Sequence, residues 1–348
     1  MRNILSVSGT EDLFHKKKSV TDHMKNAVIF STGSHLPQAA VPNEELTQFP
    51  PSAIELIAPK TGVTSRRISP EEECTSDLAI KAARQCLEKA DFPADCIQGI
   101  VLSTSSPDRI QPATATRVQY ELGATNAFAF DINSVCSGSA FGICMADALI
   151  RSGKFDNILF IASEMYSKIL YKKDFCTFPF FGDAAGAIFF QAGNSDRGVY
   201  HSCLRTDGSK SNSVCIPAGG TMMPFDKMTT PRMAYFKMHG TAVFDFAVSK
   251  GTEIILQLMK ETGIELEDVD WFICHQANIN IIDSISSRLN ADREKFLVNI
   301  DRYGNTASAS VLVTLDEALS TGTIHPGDLV VTSAFGGGLS WGANLIRI

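Results

Sequence analysis

A chain of 348 residues, 44% of them hydrophobic, can bury a large core as two domains or one duplicated one. Its formal charge of −7 argues against general nucleic-acid binding, which needs a basic face to neutralise phosphates. No apolar run reaches the roughly 18 residues of a membrane-spanning helix, and nine cysteines with no CxxC pair argue against a disulfide scaffold or a closed zinc site.

Residues 1–26 are polar, lack the apolar stretch of a secretory signal and read as an extension ahead of the first strand, with Lys16, Lys17 and Lys18 a solvated run. Together with unpaired cysteines, this predicts a cytoplasmic protein. Further along, two stretches repeat one another. Leu87–Leu102 and Leu258–Cys274 each run from the tail of a helix through a polar loop and an acidic residue into a β run. Ser103–Ser106 follows the first and His275–Asn278 the second. Phe128–Ile132 (FAFDI) and Phe296–Ile300 (FLVNI) are each predicted as a strand, then a turn, then a helix that opens on small residues. Those residues are Ser137, Gly138, Ser139 and Ala140 in the first unit, and Thr306, Ala307, Ser308 and Ala309 in the second, whose helix runs through Leu319. Strands alternating with helices predict an α/β fold with mixed or parallel sheets. Duplication predicts two sheets packed through shared central helices, with the two small-residue helices buried and their N-termini together.

Cys136 falls on the turn that opens the first of these helices. The thiolate is the nucleophilic form, and a helix start supplies unpaired N–H groups and partial positive charge that favour it. The other reading is an inert packing cysteine, which suits Cys144 within the same helix. His275 ends the apolar strand Trp271–Cys274, facing the crevice where α/β proteins place ligands, although a lone histidine is more often structural. Asn305, in Tyr303-Gly304-Asn305-Thr306, opens the second small-residue helix and by itself reads as a helix cap. Phe335-Gly336-Gly337-Gly338 follows the β run Leu329–Val331. Consecutive glycines let a backbone approach closely and expose N–H donors, as an oxyanion hole requires, or they form a tight turn. No Lys-Ser/Thr follows, so a phosphate loop is not expected.

In this order, CSG at 136–138, HQAN at 275–278, YGNT at 303–306 and FGGG at 335–338 resemble the ketoacyl synthase III family of the thiolase superfamily, the condensing enzymes that start fatty-acid chains. Phe181–Ala187 (FGDAAGA) and Asp316-Glu317-Ala318 carry the same resemblance, which extends from Ala27 to the C-terminus. It implies a thiolase-like, five-layered αβαβα fold built from two similar halves, residues 27–195 and 196–348, and a homodimer. Cys136 would take the acyl group from a thioester. The N–H groups of Cys136 and Gly337 would form the oxyanion hole. His275 and Asn305 would donate hydrogen bonds to a malonyl thioester as CO₂ leaves, and the carbanion would attack the acyl-Cys136. No cofactor or metal is implied; the substrates are acyl-coenzyme A or acyl-carrier-protein thioesters and a malonyl thioester. Thiolases carry a second cysteine where Phe335–Gly338 stands, and chain-elongating synthases a second histidine where Asn305 stands.

The resemblance also marks departures. Leu56 and Phe175 occupy the places of the tryptophan and arginine that grip the adenine of coenzyme A, and Lys60 replaces a phosphate-facing arginine. Gly240 and Phe335 belong to the same substrate-binding set. Of the basic residues that dock the acidic acyl carrier protein, Arg288 is kept, while Asn280 and Asp245 stand at two other places. Gln111 stands where a phenylalanine of the partner subunit closes the acyl pocket. It either admits a longer or polar acyl group or only alters pocket length, and it cannot be the glutamate base of enzymes that join two long acyl chains. These departures imply a specialised paralogue that loads an unusual starter. The rival readings are an acyltransferase on the same fold, passing the acyl group to an alcohol or amine, and a non-catalytic partner subunit of a heterodimer.

Overall fold

The apolar β runs sort into two sheets in a computed structural model that describes residues 25–193 and 196–348. The N-terminal extension, Lys16–Lys18 included, lies outside the described residues except for Lys25 and Asn26. Strands β1 (Asn26–His35), β2 (Gly99–Ser103), β3 (Phe128–Ile132), β4 (Asn157–Glu164) and β5 (Ala184–Gly193) form the first sheet in the order β1-β5-β4-β2-β3. Here β2 runs parallel to β3 and β4, and β5 antiparallel to β1 and β4. Strands β6 (Gly198–Thr206), β7 (Trp271–Cys274), β8 (Leu329–Gly336) and β9 (Ser340–Arg347) form the second sheet in the order β7-β8-β9-β6, parallel only between β7 and β8.

Six longer helices cover these sheets, α2 (Thr75–Ala90), α3 (Thr114–Leu122), α4 (Gly138–Arg151), α5 (Gly240–Thr262), α6 (Ile279–Leu289) and α7 (Ser310–Ser320), and a short one ahead of them, α1 (Ile57–Thr61), packs on α6. The alternation of side chains along each strand assigns them to layers. Ile158 and Phe160 of β4 join Val330 of β8 in one apolar cluster with Ile143 of α4 and Leu312 of α7. The intervening Leu159 and Ile161 pack instead on Leu78 and Ala82 of α2. On the second sheet Val331 and Leu345 turn the other way, onto Ile255 of α5 and Ile285 of α6. The layers are therefore α2/α3, first sheet, α4/α7, second sheet, α5/α6. Strands covered on both faces need continuous apolar runs, and every residue of β4 and β8 is buried. The central helices reach both sheets because they are lined with small residues. A Cβ on Gly142 of α4 would stand 2.0 Å from the Phe160 ring.

FLVNI departs from the expected strand. Only Phe296 makes a single parallel bridge, to Phe272, and the chain then turns into a short helix at Ile300–Tyr303. The cause is the Gln276 amide. It donates to the Leu297 carbonyl (3.2 Å) and accepts the Asn299 N–H (3.1 Å), filling the place of a neighbouring strand with one side chain.

Candidate active site

The two turns before α4 and α7 pack against one another, as the duplication suggests. Each begins with a non-glycine residue in the left-handed region, Val135 at φ 49° and Ala307 at φ 47°. A β-branched residue there is strained, and such strain persists only where the surroundings enforce it. It places the next residue, Cys136 or Ser308, where the two turns meet. The Cys136 turn is tied to the β8–β9 hairpin through Ser137 Oγ and Ser340 Oγ (2.7 Å), and Ser340 Oγ donates to the Gly337 carbonyl (2.9 Å). Gly336 is required by close approach: a Cβ there would lie 2.8 Å from the Cys136 nitrogen. The glycine stretch thus lies against the Cys136 turn, where an oxyanion hole of the expected Cys136 and Gly337 N–H groups would need it.

His275 is buried at the end of β7, and its N–H is held by the Ser333 carbonyl (2.7 Å). Its Nδ1 lies 2.7 Å from Ser310 Oγ, and that oxygen accepts the Gln276 N–H at 3.3 Å. No other acceptor for the Ser310 hydroxyl proton is present among the described residues, so Ser310 gives it to Nδ1, which assigns the ring proton to Nε2. Burial lowers the His275 pKa to about 3, so the ring is a neutral donor near pH 7. Phe335 meets it edge-on, with ring centroids 5.4 Å apart. Asn305 is fixed by its backbone, whose N–H donates to the Phe180 carbonyl (2.8 Å) and whose carbonyl accepts from Gly182 (3.0 Å). Its side-chain oxygen accepts the Ala307 N–H (2.9 Å), leaving the Nδ2 donor unpaired among the described residues.

The electrostatics of Cys136 differ from the expectation drawn from the helix start. The side chain is buried, and burial, seconded by the Glu164 carboxylate, pushes the thiol upward. The protonated thiol is therefore the resting form. Glu164 and Tyr166, at the end of β4, are functional candidates that sequence reasoning passed over. Glu164 accepts from the Ser105 N–H and hydroxyl and from the hydroxyls of Ser106 (2.8 Å) and Ser308 (2.7 Å). Tyr166 stacks on Phe181 (centroids 4.7 Å apart), shares the apolar cluster of Cys136 and Ala307, and has its hydroxyl 3.0 Å from Ser105 Oγ.

Cys136, His275, Asn305, Gly337 and Phe335 are thus gathered round one locus. Leu56, Lys60 and Phe175 belong to a second one, beside α1. Leu56 and Lys60 are exposed. Phe175 packs edge-on to Phe49 (5.2 Å) and Phe180 (6.2 Å), a contact an arginine could not make. The Lys60 carbonyl accepts the side-chain amides of Asn278 and Asn280 (3.1 and 2.8 Å), so Asn280 holds α6 to α1 where the resemblance implied a docking cation. Gly240 opens α5 with free space where a Cβ would be. Arg288 and Asp245 are exposed on α6 and α5, and Gln111 is exposed beside Pro112.

The fold defines a thiolase-type α/β enzyme built from two similar halves, with Cys136 buried where the turns before α4 and α7 meet. Comparison with known proteins makes this specific. Residues 130–208 match the family described as 3-oxoacyl-[acyl-carrier-protein] synthase III, and residues 259–348 match its C-terminal domain. β-Ketoacyl-[acyl-carrier-protein] synthase III of Agrobacterium fabrum is 40% identical over 330 residues, 93% of this chain and 100% of that protein. The enzyme of the same name from Clostridium perfringens is 39% identical over 325 residues, again 93% and 100%. The crystal structure of 3-oxoacyl-[acyl-carrier-protein] synthase III from Aquifex aeolicus VF5 superimposes with a TM-score of 0.85 at 33% identity, covering 92% of this chain and 100% of that one. The chain belongs to the β-ketoacyl-[acyl-carrier-protein] synthase III family and is an acyl-transferring condensing enzyme.

The state of His275 is open to a direct check. Its pKa is 6.5 in the unfolded chain and about 3 in the fold. As pH falls through that window, the unfolded chain binds a proton that the folded one refuses, so stability decreases. Urea midpoints measured across this range should fall with pH, and less steeply in His275→Gln. Equal slopes would mean that His275 is charged in the folded protein.

Proposed function

We propose that the chain starts carbon chains by decarboxylative Claisen condensation. Cys136 attacks an acyl thioester, its sulfur–carbon bond forms as the donor thiol departs, and the Cys136 and Gly337 N–H groups stabilise the oxyanion. A malonyl thioester then binds, loses CO₂ and leaves an enolate whose oxygen accepts hydrogen bonds from His275 Nε2 and Asn305 Nδ2. The enolate carbon attacks the acyl-Cys136, and the β-ketoacyl product leaves as the sulfur is released. One observation carries this reading. Two neutral side chains have every other polar atom engaged, so His275 keeps its Nε2–H and Asn305 its NH₂ unpaired, and the turn that Asn305 holds packs on the turn of the buried Cys136. Neutral donors suit an oxygen that gains negative charge, and neither can abstract a proton.

The reading extends to roles that rest on the family pattern. Acyl carrier protein is the carrier, with Arg288 contributing to its docking, and the working unit is a homodimer in which Gln111 faces the partner's acyl site. Leu56, Lys60, Phe175, Gly240 and Phe335 line the substrate path, and the halves divide near residue 195. Phe175, held in an aromatic cluster, and Leu56 give no stacking pair for adenine, which favours a carrier-bound donor. No helix among the described residues is long and apolar enough to cross a membrane.

Intact-protein mass after incubation with acyl-coenzyme A and acyl-carrier thioesters, from acetyl to decanoyl and including dicarboxylic groups, tests this. The expected result is a mass gain that Cys136→Ala abolishes and that carrier thioesters give faster than coenzyme A thioesters. No gain from any donor would sink the reading in favour of a non-catalytic partner subunit.

A further inference from the structure

Away from Cys136, three side chains that are distant in sequence bring metal-ligating atoms together. His201 and Cys203 are two residues apart on β6, so both face the same way, towards α5. Glu261, in the last turn of α5, meets them there, and the three donor atoms lie within 4.8 Å of one another. The carboxylate Oε2 is 2.7 Å from His201 Nε2 and 3.2 Å from Cys203 Sγ. Its Oε1 is held by the Gln257 amide, one helical turn earlier, at 2.6 Å.

We propose that His201, Cys203 and Glu261 form a binding site for a divalent ion of borderline softness, zinc or cobalt, with its fourth position open to water. Imidazole, thiolate and carboxylate are the ligands such ions take, and three protein ligands plus one water complete a tetrahedron. The geometry is that of a site with protons in place of the ion. Two hydrogens, from the thiol and the imidazole, converge on one carboxylate oxygen, and a single cation at that point satisfies all three donors. Gln257 supports it as an outer partner, fixing the carboxylate so that Oε2 points at the ion. The ion has a way in, because His201 and Glu261 are about 40% exposed (41% and 40%), while buried Cys203 forms the floor. On binding, a metal–sulfur bond replaces the S–H bond and the proton passes to solvent. The sequence hid this set because its two strand ligands lie 60 and 58 residues from its helix ligand, outside any familiar spacing. Bound metal would pin the edge strand β6 to α5, and the proposal is independent of the reaction at Cys136.

Cobalt titration of the full, reduced chain after chelator treatment tests it. The parent protein should take up one equivalent with a thiolate-to-cobalt charge-transfer band, reversed by excess zinc. Cys136→Ala should keep the band, and Cys203→Ser should lose it while retaining the parent's circular dichroism. His201→Ala, with the thiol intact, should also lose tight binding, and Gln257→Ala should weaken it about 10- to 100-fold. Absence of the band in the parent chain, or its survival in both Cys203→Ser and His201→Ala, overturns the proposal.

Discussion

Asn305→Ala should lower the condensation rate about 10²- to 10³-fold, the usual effect of deleting one oxyanion donor, while Cys136 still becomes acylated. The reason lies in where charge develops. Loss of CO₂ places an electron pair on the thioester, and its oxygen becomes anionic in a site from which water is largely excluded. A donor already oriented there stabilises that charge without reorganising. Asn305 is oriented in this way, because the Ala307 N–H holds its oxygen and leaves its NH₂ free. Asn305→Asp should be at least as damaging, since it puts a like charge beside the enolate. His275→Ala acts on the same oxygen, so the double variant should lose less than the product of the single losses. Single-turnover assays on pre-acylated protein separate the steps. If acylation fails with condensation, Asn305 is a strut of the site and not a donor. If turnover persists, the condensing mechanism falls and transfer to an alcohol or amine takes its place.

What could be read from the sequence, and what could not, divides along the distance over which residues act. The strand at Phe128–Ile132, the helix opened by Cys136 and the buried β run ending at His275 are local patterns, and each forms as expected. FLVNI has the same local pattern yet is no strand, because its would-be neighbour's place is taken by Gln276, some 21 residues away. Cys136, His275 and Asn305 could be put forward from sequence because each sits where a strand ends or a helix begins, inside a recognisable motif. Glu164 was not, although a carboxylate at the carboxyl end of a buried strand is a usable signal. Its partners Ser105 and Ser308 are 59 and 144 residues away. The same distinction explains the cysteine. A helix start is a local property and argues for a low thiol pKa, whereas burial and the Glu164 charge are tertiary, and they prevail.

Glu164→Gln should both weaken the fold and make Cys136 reactive at lower pH. The carboxylate is completely buried, has no lysine or arginine partner among the described residues, and is held only by serine hydroxyls and the Ser105 N–H. Glutamine keeps the shape but turns one acceptor oxygen into an NH₂ facing groups that themselves donate. Hydroxyls can rotate to compensate, and the Ser105 N–H, which reaches both oxygens (3.2 and 3.1 Å), keeps one acceptor, but the new NH₂ is left facing that N–H with no acceptor of its own. Each stranded buried donor costs about 1–3 kcal/mol, a large share of the roughly 5–15 kcal/mol that holds a domain together. The urea midpoint should therefore drop with an unchanged slope. The second effect has a definite sign. A carboxylate near a thiol disfavours the thiolate, so removing its charge moves the Cys136 titration to lower pH. The rate of iodoacetamide alkylation followed against pH reads this directly, with Cys136→Ala giving the background from the other cysteines. A lower midpoint with an unmoved alkylation profile would leave Glu164 as a clamp joining the Ser105 loop to the Ser308 turn, with burial alone setting the thiol. A profile displaced towards acid, together with faster acylation by thioesters, would mean that Glu164 also keeps Cys136 protonated until a substrate arrives.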